Sequence, residues 1–325
     1  LYLHDLQLDQ ATACYQAALT KAPELPEAHL NMHHAKAEAR DFAQALEHLR
    51  RAAELDESLR VVPKRYDLQA VIGRGTSGTV YQARDTRENK DVTVKVLRVS
   101  YVREHVSPER WLEETRGLTA LTHPHIARVY QATLEEGRCI LVSDNLSGQN
   151  LRRVVTELGP LDPDRATVVV GQIAAALQYA HEQGVLHLDL IPSNIFIRDD
   201  GNATLMDFRS GRAERGRRLT FKKGSEGFQA PELTAGAGAD ARADVYSLGA
   251  LLYFAVTGRI PVGSFPRLAE IAPASRRFES LITRAMRALP DERPQSVAEF
   301  AKILAGSAEA VVIPDDEEDL QGWLG

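Results

Sequence analysis

The sequence is short of three things: cysteine, surplus positive charge, and any apolar run long enough to cross a bilayer. Its two cysteines, Cys14 and Cys139, stand far apart and without metal-ligand spacing. That excludes a disulfide framework and a thiolate metal centre, and leaves buried or idle thiols in a reducing compartment. A net charge of −6 excludes a general attraction to nucleic acid or to an anionic membrane surface. The longest apolar run, around Val245–Val256, is shorter than the roughly 20 residues a spanning helix needs. No basic-then-apolar leader opens the chain, and a cytoplasmic protein is expected. The chain starts at Leu1 rather than Met, as a fragment would, so a membrane span or sensor domain could lie outside it. What remains is ordinary for a soluble globular protein, with 44% hydrophobic and 26% charged residues. Its length suits about two domains.

Residues 1–60 are helical in composition, with almost no strand formers, and they repeat. Leu8, Ala11, Tyr15 and Ala18 recur 34 positions later as Phe42, Ala45, Leu49 and Ala52. Small residues at fixed places let paired helices approach closely while larger ones fill the groove. This spacing resembles the tetratricopeptide repeat, with Glu27–Phe42 as the first helix of the second repeat. Two amphipathic helices that happen to align would look the same. Fewer than three repeats rarely stand alone, so either repeats are missing upstream or this pair packs on the next domain. His29, His33 and His34 lie close together here, but no carboxylate supports a metal site, and a solvated helix face accounts for them.

A short linker around Pro63 ends this texture. From Tyr66 to Val102 apolar and polar residues alternate, rich in Val and Thr, which predicts antiparallel strands. From Pro108 helical patterns dominate, including 163–183. A small sheet region followed by a larger helical one is an α+β arrangement. The expected division is a repeat segment over 1–60, a mixed sheet-and-helix domain over 61–308 and an acidic tail over 309–325.

Three sets of residues carry chemistry. Gly73, Gly75, Gly78 and Val80 form G-x-G-x-x-G-x-V, whose glycines let a backbone bend sharply and bring its N–H groups to phosphate oxygens. It lies between two strands rather than between a strand and a helix, which disfavours a dinucleotide-binding unit. Seventeen residues after Gly78, Lys95 stands inside an apolar strand, where an ammonium needs an anionic partner. Glu114 is that partner on the expected helix face, with Glu113 as the neighbouring candidate. Third, 185–197 brings His187, Asp189 and Asn194 together, and Asp207 and Phe208 come next.

With these in place the sequence resembles a eukaryotic-type protein kinase, nearest in texture to bacterial Ser/Thr kinases, from roughly Tyr66 to Gly306. The resemblance implies a bilobal fold, ATP with Mg²⁺ or Mn²⁺, and a protein substrate. It implies that Asp189 orients and deprotonates the substrate hydroxyl, that Asn194 and Asp207 hold the metal, and that Lys95 and Glu114 form an ion pair at the phosphates. Ser143, Asp144 and Leu146 would line the adenine pocket at the hinge, with Phe196 as its floor and Thr93 as its roof. Glu232 of Ala230-Pro231-Glu232 would pair with Arg293, and Asp244 would brace the catalytic loop. Leu118, Val129, His187 and Phe208 would form the apolar column that links the lobes.

Departures from the family pattern leave two readings open. Leu188 replaces the Arg that pairs with a phosphorylated activation loop. Ile191 replaces the Lys that touches the transferred phosphoryl group, and losing such a donor costs roughly a hundredfold to a thousandfold in rate. Arg209 replaces the Gly after Asp207-Phe208. The activation segment is strongly basic, with Arg212, Arg215, Arg217, Arg218, Lys222 and Lys223, and suits docking of an acidic segment such as Asp315–Asp319. Thr220 and Ser225 are expected self-phosphorylation sites, and Pro192 and Ser225 favour Ser/Thr specificity. One reading is a Ser/Thr protein kinase that recruits a substrate or regulator through its repeats. The other is a pseudokinase, a nucleotide-binding scaffold. A small-molecule kinase of the same fold fits the Ala230-Pro231-Glu232 segment less well.

Overall fold

The helical composition of the N-terminal 60 residues becomes three helices in the computed structural model, which describes residues 7–75, 77–98, 107–135, 137–208, 225–236, 238 and 240–309. Helices α1 (Leu8–Lys21) and α3 (Phe42–Leu55) are 14 residues each and begin 34 positions apart, with α2 (Pro26–Glu38) between them. α2 ends four residues before Phe42, the expected end. Arg40 adopts a left-handed φ of 60° and breaks the helix, and the Asp41 side chain accepts from the Gln44 N–H at 3.4 Å to cap α3. Tyr15, Ala18 and Leu19 of α1 pack against Ala28 and Met32 of α2.

The strands come next as β1 (Tyr66–Arg74), β2 (Gly78–Asp85), β3 (Lys90–Leu97), β4 (Val129–Glu135) and β5 (Arg138–Asp144), in one antiparallel sheet ordered β1-β2-β3-β5-β4. Helix α4 (Pro108–Arg116) is capped by Ser107 and lays Trp111 against Cys139 and Leu97. Helices α1–α3 belong to the same compact unit as this sheet. Ala37, Ala45, Leu46 and Leu49 share one core with Tyr66, Val71, Tyr81, Val92, Val94, Ile140 and Val142. The helix pair therefore buries its apolar face on the sheet.

That packing corrects the reading of the histidines as a solvated face. His33 is fully buried, its Nδ1–H donates to the Ala45 carbonyl at 2.8 Å, and its Nε2 accepts from the Tyr81 hydroxyl at 2.9 Å. Burial, the largest influence, pushes its pKa down to about 4. His34 is partly buried beside it and is pushed down to about 3, again chiefly by burial. His29 shares a ring-nitrogen contact of 2.9 Å with His48.

The second compact unit holds a small sheet, β6 (Gly148–Asn150), β7 (Ile195–Arg198) and β8 (Ala203–Leu205), and the remaining helices. These are α5 (Leu151–Leu158), α6 (Pro163–Glu182), α7 (Pro231–Ala235), α8 (Ala241–Thr257), α9 (Leu268–Ile271), α10 (Glu279–Ala285) and α11 (Val297–Glu309). The long apolar run noted in the sequence is α8, buried from Val245 to Val256 with the single exception of partly buried Tyr246. Among the described residues no helix is long and apolar enough to cross a membrane. The α+β expectation holds for both units.

Candidate active site

In the helical unit the catalytic loop hangs from one buried carboxylate. Asp244 lies in the first turn of α8 and is fully buried. Its Oδ2 accepts from the His187 backbone N–H at 2.9 Å and from His181 Nε2 at 2.8 Å, and its Oδ1 accepts from the Leu188 N–H at 2.8 Å. Burial pushes this carboxyl up, but the hydrogen bond and charge of His181, the charge of His187 and the His187 N–H outweigh it and hold the pKa below the usual carboxylate range. Leu188 needs the anchor because its φ is 57°, a left-handed conformation that a branched side chain resists. The Leu188 side chain, 3% exposed, packs with Ala230, Leu233 and Ala243. An apolar contact thus stands where the family pattern has an arginine.

The next residues are fixed from that point. The Asp189 N–H donates to His187 Nδ1 at 3.2 Å, and His187 Nε2–H donates to the Met206 carbonyl at 3.1 Å. Burial holds the His187 pKa down, so the ring is neutral. Asn194 Nδ2 donates to the Asp189 carbonyl at 2.8 Å and to Asp189 Oδ2 at 3.2 Å. The backbone N–H of Met206 donates to the Asn194 carbonyl at 2.9 Å, which brings the Asp207 segment alongside. Asp207 has a φ of 60°, and the Phe208 ring lies 4.6 Å from that of His187. Asp189, Asn194 and Asp207 are thereby brought together on one backbone frame. The Asn194 amide nitrogen faces Asp189, so its amide oxygen is the atom it offers a cation. Phe196 lies on β7, paired with Asn150 and Thr204. Ile191 is 5% exposed and offers no charge.

Glu232 and Arg293 meet as expected, at 2.7 and 2.8 Å through both oxygens. Arg293 is fully buried, and its other N–H groups donate to the carbonyls of Arg242, Arg287 and Ala288. Ser225 is only 1% exposed. Arg209, Arg212, Arg215, Arg217, Arg218, Thr220, Lys222, Lys223 and Asp315–Asp319 lie outside the described residues.

In the sheet unit the Gly75 N–H donates to the Gly78 carbonyl at 2.9 Å and closes the glycine-rich turn between β1 and β2. The glycines divide the work. A Cβ on Gly78 would stand 2.2 Å from the Val96 carbonyl oxygen, so that glycine lets β2 pack on β3. A Cβ on Gly75 would meet nothing within 4 Å, and one on Gly73 only Val80 at 3.9 Å. Their bare backbone leaves the space a phosphate needs, and the residues present fit a nucleotide. Val80 pairs with Lys95 across β2 and β3, and Thr93 pairs with Ser143 across β3 and β5.

Glu114 Oε1 accepts from Arg110 Nε at 2.9 Å, and Oε2 is buried without a hydrogen-bond partner. Glu113 is exposed while the Glu114 side chain is only 13% exposed, which favours Glu114 of the two. The Asp144 carboxylate accepts from the Arg128 N–H at 2.9 Å and from the Tyr130 hydroxyl, and its N–H donates to the Arg128 carbonyl. What Asp144 can offer a ligand is its own carbonyl. The Tyr130 pKa is pushed up to about 12, first by burial and then by that hydrogen bond.

The model of the protein kinase domain matches residues 66–307, and the chain belongs to that family. It is 34% identical over 260 residues to the serine/threonine-protein kinase PknB of Mycolicibacterium smegmatis, spanning 73% of this chain and 42% of the relative. It is 31% identical over 270 residues to PknH of Mycobacterium bovis, spanning 78% of this chain and 45% of the relative. The chain thus spans under half the length of these relatives. The crystal structure of the Mycobacterium tuberculosis PknI kinase domain superposes with a TM-score of 0.66 at 26% identity, covering 76% of this chain and 98% of that one. The fold is the bilobal kinase fold, preceded by α1–α3.

Proposed function

We propose that this chain transfers the γ-phosphoryl group of ATP to a serine or threonine hydroxyl of a protein. The observation that carries the reading is the frame around Asp189, in which a buried Asp244 fixes the loop backbone and Asn194 holds the Asp189 carboxylate. In the reaction the substrate oxygen bonds the γ-phosphorus as the bond to the β-bridging oxygen breaks. The hydroxyl proton passes to the Asp189 carboxylate and ADP leaves. The turn that Gly73, Gly75 and Gly78 form leaves open space for the phosphates, and Lys95 supplies positive charge there. Asn194 and Asp207 would hold Mg²⁺ or Mn²⁺, which supplies charge neutralisation of the phosphates when bound. Ser143, the Asp144 carbonyl, Leu146, Val80 and Phe196 take the adenine. We assign the protein to the cytoplasm.

The 34-residue offset of α1 and α3 supports the repeat reading of the segment, through which a protein substrate or regulator is recruited. The basic activation segment takes an acidic segment, the tail around Asp315–Asp319 being the nearest one in sequence.

A second reading, a nucleotide-binding scaffold without transfer, is favoured by the buried Ile191 and by the Glu114–Arg110 pair. Labelled ATP with magnesium or manganese, offered with the chain itself and a generic basic protein, separates the two. Transfer that disappears in Asp189→Asn supports the kinase, and ATP binding with no transfer above that control supports the scaffold.

A further inference from the structure

The glycine-rich hairpin is tied to a helix that lies outside the matched kinase residues. Glu38 is the last residue of α2, and residue 66 is where the family match begins. Its Oε2 accepts from Arg74 Nε at 2.6 Å and from Arg98 Nη2 at 2.8 Å. Both arginines belong to the hairpin's frame. Arg74 stands between Gly73 and Gly75, its side chain is 7% exposed, and its Nη1 donates across the turn to Thr79 Oγ1 at 2.7 Å. Arg98 comes directly after β3, and its backbone N–H donates to the Ser77 carbonyl inside the turn at 2.9 Å. One carboxylate therefore bridges the strand that enters the turn and the residue that holds its tip. Among the described residues it is the one anion these two guanidiniums share, and without it their charges repel. The Arg98 pKa is held down, first by burial and next by the charge of Arg74, as that crowding requires. The His33–Tyr81 hydrogen bond fixes the same helix to β2, three residues beyond Gly78.

We propose that Glu38 is a positioning residue for the glycine-rich hairpin, acting through Arg74 and Arg98 to set where the turn's N–H groups stand for the phosphates of a nucleotide. The helical segment is then a working part of the nucleotide site as well as a surface for partners. This rests on the proposed binding of a nucleotide, and the test separates the two.

The test uses the full chain and its Glu38→Gln variant, which keeps the shape and removes the charge. Amide hydrogen exchange is followed peptide by peptide, and ATP affinity is measured by calorimetry with magnesium. The expected result is exchange faster by roughly tenfold at Gly75 and Arg98, the scale of one lost charge-assisted hydrogen bond, and ATP binding weaker by a similar factor. Exchange over β4 and β5 stays as in the parent. Unchanged exchange at the hairpin overturns the proposal, whatever the ATP affinity. Faster exchange spread evenly over β1–β5 also overturns it, because Glu38 then only stabilises the unit. Local acceleration in a chain that binds no ATP keeps the positioning role and fails the nucleotide-site reading instead.

Discussion

Each unit of this protein carries a loop of the candidate site, and each fixes its loop with one carboxylate, but the two carboxylates live in opposite surroundings. In the helical unit Asp244 is fully buried and takes two backbone N–H groups, one from Leu188 at φ 57°. In the sheet unit the Glu38 side chain is 35% exposed and takes two arginine side chains. A buried anchor on backbone amides has no alternative partner, so its loop has one arrangement. An anchor at the surface competes with water and salt, so its loop can be loosened. The difference suits the proposed chemistry, in which the proton acceptor would be held still while the hairpin would admit and release a nucleotide.

The comparison breaks most severely at the buried end. Asp244→Ala leaves His181 and two loop amides without their acceptor, and loss of about 3–5 kcal/mol from the helical unit is expected by chemical denaturation. Arg293→Ala strands the Glu232 carboxylate and the carbonyls of Arg242, Arg287 and Ala288, with a loss of the same order. If either variant were as stable as the parent, burial would not be what fixes these elements.

The seam between α2 and the sheet sharpens the contrast through pH. The unfolded chain takes protons on His33 and His34 as pH falls below about 6.5, while the folded chain refuses them until about 4 and about 3. Stability is therefore lost as pH drops from about 6.5. By pH 5 the loss is about 2 kcal/mol per histidine. His33→Asn should halve the slope of denaturation midpoint against pH between 6.5 and 5, and an unchanged slope would place the titration elsewhere.

Ile191→Lys restores the charge that the family pattern has at the phosphoryl group. Faster transfer by about tenfold is expected, less than the full effect of such a donor because the site is buried. The smallest effect is that of salt. Moving from low to 0.5 M salt should weaken ATP binding by about twofold more in the parent than in Glu38→Gln, since only the parent has the exposed tie to screen.

Much of this was legible in the sequence, for reasons that differ by residue. The glycine spacing, His187-Leu188-Asp189, Asn194, Asp207 and the Glu232–Arg293 pair are fixed by local backbone and charge rules, and each falls into a geometry consistent with its expected place. The period of 34 was visible because helix pairs need small residues at fixed intervals. The surroundings were harder to read. His33 looks like a surface residue until the sheet covers α2, and Glu38 looks like an ordinary helix-end acid until the fold brings Arg74 and Arg98 to it. Both depend on contacts 36 to 60 residues away in sequence, which no local pattern records. The Glu114–Arg110 pair is an i,i+4 contact on one helix that the sequence reading did not name.

The measurement that tests the account most directly is phosphoryl transfer from labelled ATP to a generic basic protein, run beside Asp189→Asn. The account predicts slow but measurable incorporation that the substitution abolishes. Equal incorporation by both proteins, or none by the parent while it binds ATP, would contradict it.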